Sequence, residues 1–285
     1  HIGAEAEFFI CDKSGREFAS PDEVQRLVKG MQNKGHLIQT EACGVLEINT
    51  PPFETNHMAP FYDECARAEH DLKMLAHHHG HTILNTAVPP LISQEEAERA
   101  VIPRERIRDM VAAVKRLLPV DALRVGLLTA SCQISIDYKD PQDLYKKLHR
   151  GYALSPLLIH LLASDTSRIE GQAMHRHIRS DLYRSYGQEA NGIPSYLKNS
   201  FDGETLIQAH LDHLYKTPLL YYYDRDQIVY PKTLSETFNS LSTRELNTAQ
   251  NFEATESFLY HDIKFKPLPN GKRRLEFRLA DTGFG

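Results

Sequence analysis

Four segments of this sequence alternate between apolar and polar side chains, which is the pattern of strands with one face in a core. In residues 4–10, Glu5 and Glu7 share one parity, and the other parity is apolar throughout, with Ala4, Ala6, Phe8 and Ile10. Successive side chains of a strand point to opposite faces, so both carboxylates lie on one side. Such strands predict a sheet with one buried face and one polar face.

The other three segments are residues 38–50, 128–138 and 273–280. We interpret each as one strand. By the same parity argument, their polar faces carry in turn Glu41 and Glu47, then Gln133, then Glu276 with Arg278.

If these strands share a sheet, its polar face collects five glutamates, which repel one another unless cations are bound. Oxygen ligands with few histidines favour Mg²⁺ or Mn²⁺ over zinc. Arg278, two residues after Glu276, is then suited to a phosphate or a tetrahedral acyl intermediate. A single alternating segment usually marks only a half-exposed strand, so the argument depends on several such strands together.

The strand segments are separated by predicted helices over residues 21–34, 59–79, 104–117, 203–214 and 233–241. Residues from 141 onward predict two helical stretches, and 164–200 predict a long loop of the kind found at active sites. The chain closes with a hairpin of 263–266 and 273–280 around a turn at 269–271. Together these elements predict one α+β domain over 1–285 with a largely antiparallel sheet.

The net charge of −5, from 33 basic and 38 acidic side chains, gives no general attraction to nucleic acid or to an anionic membrane. No apolar stretch is long enough for a membrane helix and no leader is evident, so we expect small-molecule partners and a cytoplasmic location. The oligomeric state cannot be predicted. Both ends run straight into predicted strands, which leads us to expect further segments beyond them.

Several other sequence features resemble functional sites but fit structural roles better. The four histidines from His77 to His81 fit the polar end of a helix better than a metal cluster. No P-loop and no dinucleotide-binding glycine motif is present. The tyrosines at 221–223 fit strand packing. The four cysteines lie in apolar patterns and are expected to be reduced core residues, namely Cys11, Cys43, Cys65 and Cys132.

The motifs follow the order of a known family. GAEAEFF resembles an opening Gly-x-Glu-x-Glu strand, and GVLEINTPP resembles a glutamate-bearing strand that ends in a proline turn. TASCQISIDYKDPQDLYKKLHRGYALSPL, AMHRHIRSDLYR, TPLLYYYDRDQIVYPKTLSETF and RRLEFRLADTG are also similar to family segments. In this order the motifs resemble those of glutamate-cysteine ligases of the plant and proteobacterial type, which are glutamine synthetase-like carboxylate-amine ligases. The resemblance implies a curved antiparallel sheet with helices on one face and an active-site cleft on the other.

Carried over by position, the resemblance implies ATP and Mg²⁺ or Mn²⁺ as cofactors. Gln133 matches a residue of the nucleotide and metal site, and Arg278 the catalytic arginine beside Glu276. Arg176 and Arg179 match basic positions near a substrate carboxylate or phosphate, and Arg150 matches a helix arginine. The implied metal ligands are Glu5, Glu7, Glu41, Glu47 and Glu276.

The implied reaction joins the γ-carboxylate of glutamate to the amine of cysteine through an acyl phosphate. Two departures leave alternatives open: the family has further helical segments at both ends, and LADTGFG replaces GADGGPW. The first alternative is an amide ligase for another acid and amine. The second is a catalytically inactive relative that binds nucleotide or amino acid.

Overall fold

The computed structural model describes residues 1–285 except 57, 164–167, 174–177, 188–189, 226, 243, 268–272 and 282–285. The helices are α1 Pro21–Asn33, α2 Met58–His78, α3 Gln94–Arg99, α4 Glu105–Leu117, α5 Val120–Leu127, α6 Pro141–Leu161, α7 Ile178–Tyr183, α8 Gly203–Lys216, α9 Phe238–Ser242 and α10 Ala249–Ser257. The strands are β1 Ile2–Cys11, β2 Leu37–Thr40, β3 Val45–Asn49, β4 Thr82–Leu84, β5 Cys132–Asp137, β6 Arg168–Ile169, β7 Gln172–Ala173, β8 Asn191–Gly192, β9 Tyr222–Asp224, β10 Gln227–Val229, β11 Tyr260–His261, β12 Ile263–Pro267 and β13 Arg273–Ala280.

Seven strands form one antiparallel sheet in the order β12-β13-β5-β1-β3-β2, and β4 pairs with the far end of β1. β1 lies at the centre because it is the longest strand and its core-facing side chains, such as Ala6 and Phe8, are fully buried. The predicted α+β class with a largely antiparallel sheet is confirmed.

Helices α1, α2 and α6 cover the apolar face of the sheet. Phe8 from β1 packs in one cluster with Leu27 from α1 and Leu72 from α2. Complete burial of a side chain of this size contributes about 1.5–3 kcal/mol. α1 begins where Ser20 and Glu23 form a reciprocal capping box, which satisfies amide groups at its first turn.

Part of the opposite face is bordered by α4, α5 and α10 rather than being open. Leu123 and Leu127 of α5 lie in one core cluster with Val114 of α4 and Phe258, which follows α10. Phe9 and Val45 belong to the same cluster, so these helices are anchored at one end of the sheet. The rest of the polar face is left as the floor of a cleft.

The predicted single strand over 38–50 was wrong: these residues form the hairpin of β2 and β3. The chain reverses at Gly44, whose φ of 57° lies in the left-handed region that favours glycine. Glu41 still keeps the parity of Glu47, because Gln39 pairs with Glu47 across the hairpin.

Other predicted boundaries also need correction. The strand predicted from 128 begins at Cys132, because residues 128–131 form the connection from the unpredicted α5, which ends at Leu127. The two helical stretches predicted from 141 are the single helix α6, which continues through Pro156. The described part of the predicted loop 164–200 contains α7, short strands and two short 3₁₀ helices. The turn predicted at 269–271 lies outside the described residues.

All four cysteines are buried and none forms a disulfide, as expected of reduced core residues. Burial raises the pKa of the Cys11 and Cys132 thiols to about 12. Within the described residues, no helix is both long and apolar enough to cross a membrane.

Candidate active site

The register of the central strands brings the predicted carboxylates onto one face of the sheet. Glu5 of β1 stands opposite Gln133 of β5, and Glu7 stands opposite Glu47 of β3. On the other side of β5, Glu276 of β13 pairs with a serine of the same parity as Gln133. The polar face therefore extends across four adjacent strands.

This face forms the floor of a cleft of about 600 Å³, which α4, α5 and α10 border on the far side. Six glutamates and five basic residues line the cleft: Glu5, Glu7, Glu41, Glu47, Glu253, Glu256, Arg104, Lys264, Lys266, Arg274 and Arg278. Because the acidic side chains are not outnumbered, a bound polyphosphate would need additional cations from solution.

Glu276 is fully buried and does not line the cleft, because basic side chains cover its carboxylate. Arg278 Nη1 lies 2.8 Å from Oε1, Lys266 Nζ lies 2.9 Å from Oε1, and Arg274 Nη2 lies 3.0 Å from Oε2. Burial raises the pKa of Glu276, but these three cations outweigh burial and hold the pKa at about 2. Glu276 is therefore an ionised carboxylate that fixes the positions of three cations.

Burial raises the pKa of each of the other three strand carboxylates, which are Glu5, Glu7 and Glu47. Glu276 and Glu47 raise the pKa of Glu5 further, against the charge of Arg274, whose Nη1 lies 3.1 Å from Glu5 Oε1. Glu7 accepts hydrogen bonds from the backbone amide and hydroxyl of Ser131, at 2.6 and 2.9 Å. The basic side chains of the protein therefore neutralise Glu5 and Glu7 less completely than they neutralise Glu276.

Glu47 is held from both sides by neutral donors. The side-chain amides of Gln39 and Asn49 donate to Oε1 at 2.7 and 2.6 Å. These hydrogen bonds lower its pKa, but burial and the charge of Glu7 raise it more. A cation at this position would relieve the unfavourable charge on both carboxylates.

The donor set fits a hard divalent cation, with one restriction on how it binds. Glu47 is buried and Glu5 and Glu7 are partly buried, and all three line the cleft with carboxylate oxygens, the atoms that Mg²⁺ prefers. Among the described residues, no group of three or more acidic, His or Cys side chains converges closely enough to hold one ion. Mg²⁺ is commonly held by one or two carboxylates together with phosphate oxygens and water, so the adjacent pair Glu7 and Glu47 is sufficient on the protein side.

Arg278 connects the two halves of this face. Its Nη1 donates to Glu276 Oε1 at 2.8 Å and to Gln133 Oε1 at 3.0 Å. The amide nitrogen of Gln133 is in turn 3.5 Å from Glu7 Oε1. The negative charges of Glu276 and Glu7 raise the pKa of Arg278 despite its burial, so it is a fixed cation.

The remaining predicted site residues do not all line the cleft. Glu41, beyond β2, lines the cleft. Arg179 is buried and is not among the residues that line the cleft. Its Nη1 donates to the carbonyl oxygen of Arg278 at 2.9 Å. Arg150 is exposed on α6 and is not among the residues lining the cleft. Arg176 lies outside the described residues.

Lys264 and Lys266 of β12 were missed by the sequence reasoning, although both line the cleft. Lys264 pairs in register with Glu276, and its Nζ lies 5.5 Å from the ring centroid of Tyr260. Burial lowers the pKa of Lys264 well below its usual value. The signal was available, because both lysines alternate with the apolar side chains of Ile263 and Phe265.

Tyr183 was also missed, because no alternation marks the short helix α7. Burial raises the pKa of its hydroxyl, but the charges of Arg179 and Arg278 outweigh burial and lower it. Tyr183 lines the same cleft, which places a polarised hydroxyl beside Arg278.

Comparison with known families identifies one match over almost the whole chain. The family model described as glutamate-cysteine ligase family 2 matches residues 1–284.

Curated relatives are similar over most of this chain at low identity. A chloroplastic glutamate–cysteine ligase A from Oryza sativa subsp. indica is 22% identical over 98% of this chain and 53% of its own length. The chloroplastic glutamate–cysteine ligase from Medicago truncatula is 24% identical over 98% of this chain and 51% of its own length. The chain thus spans about half the length of the curated relatives it matches.

A solved structure of a glutamate–cysteine ligase from Francisella tularensis in complex with AMP is also similar. It is 13% identical, the alignment covers 98% of this chain and 61% of that one, and the TM-score is 0.49.

Proposed function

This chain belongs to glutamate-cysteine ligase family 2, and from that premise we propose that it carries an ATP-dependent ligase site. The reaction joins an amino-acid carboxylate, the γ-carboxylate of glutamate, to the amine of cysteine. The observation that carries the proposal is the common polar face on which Glu5, Glu7 and Glu47 stand beside Arg278. Its partners are small molecules, namely ATP and amino acids.

The basic side chains over Glu276 are suited to the triphosphate. Lys266, Arg274 and Arg278 each pair with Glu276 and line the cleft, so their positions are fixed before ATP enters. Catalysis of phosphoryl transfer depends mainly on alignment and on stabilisation of charge that develops on the transferred group. Preformed ion pairs require little reorganisation at that moment.

Glu5, Glu7 and Glu47 are the residues that would hold Mg²⁺, with Mn²⁺ as the alternative, in this proposal. When bound, the metal would neutralise phosphate charge and bring ATP to an otherwise acidic surface. Gln133 lies between Arg278 and Glu7, because its side-chain oxygen accepts from Arg278 and its amide nitrogen donates to Glu7. It would therefore fix the position of Arg278 relative to the Glu7 side of the polar face.

In the first chemical step, a carboxylate oxygen of the substrate acid attacks the γ-phosphorus of ATP, and ADP leaves with the bridging oxygen. Arg278 is placed to stabilise the transferred group, since its guanidinium lies in the cleft between Glu276 and Gln133. In the second step, the amine attacks the acyl carbon, and phosphate leaves with the electrons of the C–O bond. The acceptor enters as an ammonium group, so it loses one proton to solvent before the attack, and a second proton passes from its nitrogen to the phosphate as the amide forms.

Both alternatives from the sequence are outcomes of the test. An inactive relative is disfavoured because buried, mutually repelling carboxylates destabilise a protein that makes no use of them. A ligase for a different acid and amine would use the same phosphate chemistry. We retain the cytoplasm as the expected location.

The test is ADP release by the full chain with Mg²⁺ and ATP, across amino acids supplied singly and in pairs. We expect release that requires an acid and an amine and is fastest with glutamate and cysteine. Glu47→Gln should abolish it, whereas Glu95→Gln, on the exposed surface of α3, should not. Fast release with another pair identifies a different ligase, and nucleotide binding without release for any pair identifies an inactive relative.

A further inference from the structure

One end of the polar face carries basic side chains between two carboxylates that the family resemblance implies as metal ligands. These are Glu5 of β1 and Glu276 of β13, which lie on the two sides of β5. Arg274 reaches across β5, since its Nη1 lies 3.1 Å from Glu5 Oε1 and its Nη2 lies 3.0 Å from Glu276 Oε2. One guanidinium therefore bridges two carboxylates that would otherwise repel each other.

Lys266 adds a second positive charge from the neighbouring strand β12. Its Nζ lies 2.9 Å from both carboxylate oxygens of Glu276. Lys266 and Arg274 are also direct partners in the β12–β13 register. Like charges in directly opposite positions destabilise a sheet. The carboxylate of Glu276, which contacts both side chains, offsets that repulsion, so the two cations and Glu276 form one interdependent group.

This group balances its charge without a metal ion. When ionised, Glu5 and Glu276 carry two negative charges, and Arg274 and Lys266 supply the two positive charges that one divalent cation would supply. Mg²⁺ binds carboxylate oxygens at roughly 2.0–2.1 Å, so an ion that joined the two carboxylates would need the space that the guanidinium fills. Metal and guanidinium are therefore alternatives at this position.

The other half of the polar face is built differently. Glu7 and Glu47 are direct partners in the β1–β3 register. Ser131 donates hydrogen bonds to Glu7, and the side-chain amide of Gln39 donates to Glu47. Such neutral donors orient the carboxylates without neutralising them, so this pair is the part of the face that suits a cation from solution.

We propose that Arg274 and Lys266 take the place of a divalent ion between Glu5 and Glu276, so that the site holds metal only on its Glu7–Glu47 side. This inference rests on the proposed function, which supplies the need for a metal ion. Arg274 and Lys266 are positioning residues in this role, because they hold Glu276 and keep a positive charge in the cleft at any Mg²⁺ concentration.

The number of bound Mn²⁺ ions tests this inference. It is counted by native mass spectrometry of the full chain with a non-hydrolysable ATP analogue. We expect one ion per chain in the wild type. The double variant Arg274→Gln, Lys266→Gln removes both positive charges, so Glu5 and Glu276 should bind a second Mn²⁺. Adding Glu276→Gln to that variant should remove the second ion and leave the first.

The double variant Arg99→Gln, Lys115→Gln is the matched control. Both side chains are exposed and pair with glutamates of α3. Their loss removes the same charge from the molecule, so the count should stay at one ion per chain. A purely structural role of Arg274 and Lys266 would lower the melting temperature of their double variant without changing its number of bound ions.

The outcomes separate this inference from the proposed function. A second Mn²⁺ in the wild type that Glu276→Gln removes would overturn the inference, and so would a single ion in the double variant Arg274→Gln, Lys266→Gln. If the wild type binds the analogue without Mn²⁺, or releases no ADP with any substrate pair, the ligase function fails, but a gained ion in the double variant would still support the inference. Should the double variant not fold, Glu276→Gln alone decides: an unchanged count supports the inference and loss of an ion overturns it.

Discussion

At the scale of single residues, Arg278 has two roles that a sequence pattern cannot separate. Its Nη1 binds both Glu276 and Gln133, and its backbone holds Asp262 and Arg179. Parity predicted the face on which Arg278 lies, but it could not predict that Glu276 would be covered by cations. That arrangement depends on Lys266, which comes from a different strand.

Arg278→Lys should separate the proposed catalytic role of Arg278 from its structural one. Lysine keeps the charge but has no planar fork, so it cannot hold Glu276 and Gln133 in the same geometry. We expect kcat to fall by about a hundredfold, typical for loss of one preorganised donor, with little change in KM for ATP. Arg99→Lys, an exposed arginine on α3, is the control. A normal kcat with a depressed melting temperature would show that Arg278 only supports the strand end.

Glu7→Gln should stabilise the metal-free protein at neutral pH. Burial raises the pKa of Glu7, so the folded state keeps its proton to a higher pH than the unfolded chain does. The favourable contribution of Glu7 is therefore complete below its unfolded pKa and is lost as pH rises through the folded pKa. Glutamine is always neutral and can still accept from Ser131.

Melting temperature in the presence of a chelator, measured against pH, tests this prediction. The advantage of Glu7→Gln over the wild type should be largest at neutral pH and should shrink in acid, while ligase turnover is lost. A variant less stable than the wild type at every pH would contradict the inference that the buried charge of Glu7 destabilises the metal-free protein.

At the scale of elements, the β2–β3 hairpin shows where sequence reasoning stops. The alternation over 38–50 predicts the face of each side chain, and the hairpin preserves that face because its register keeps the same parity. The reversal at Gly44 is not visible in the alternation, since one glycine within a strand pattern is also compatible with a bulge. The short helix α7 was missed because it spans too few residues for a helical period to emerge, and the helix predicted over 233–241 is present only as the shorter α9.

Gly44→Ala should therefore disturb the site from a distance. The added methyl would meet the Phe18 ring at 2.4 Å in a backbone conformation with φ of 57°. We expect the free energy of unfolding to fall by about 1–2 kcal/mol from backbone strain and by about 1–3 kcal/mol more from overpacking. Because Glu41 and Glu47 flank this turn, we expect weaker Mg²⁺-dependent nucleotide binding as well as a lower melting temperature.

Gly35→Ala is the matched control for this variant. Its φ is 87°, but nothing lies within 4 Å of the added methyl group. Only backbone strain should therefore lower the stability of this variant. Urea unfolding of both variants should show a clearly larger loss for Gly44→Ala. Equal losses would mean that contact with Phe18 has no effect on the hairpin.

At the scale of the whole molecule, the sheet could be predicted better than its surroundings. Period-two alternation is local, so residues 4–10 and 273–280 indicated both strand and face without knowledge of the fold. The order β13-β5-β1-β3 and the far wall formed by α4, α5 and α10 depend on contacts between distant parts of the chain. For that reason the sequence predicted the floor of the site and, through the family resemblance, a cleft on that face, but not that α4, α5 and α10 form its far wall.

The distribution of charge over the cleft leads to a last prediction, on the coupling between metal and nucleotide. No three acidic, His or Cys side chains converge on one ion within the described residues, so we expect phosphate oxygens, together with water, to complete the coordination of a bound Mg²⁺. Mg²⁺ alone, or a non-hydrolysable ATP analogue with chelator, should raise the melting temperature only slightly. Together at about 100 times Kd they should stabilise the fold by about 2.7 kcal/mol, or on the order of 5–10 °C. The double variant Glu5→Gln, Glu47→Gln should lose this synergy, while the exposed Glu95→Gln should keep it. A full shift with the analogue in chelator would mean that the basic side chains over Glu276 bind the triphosphate unaided, and the metal assignment would then be wrong.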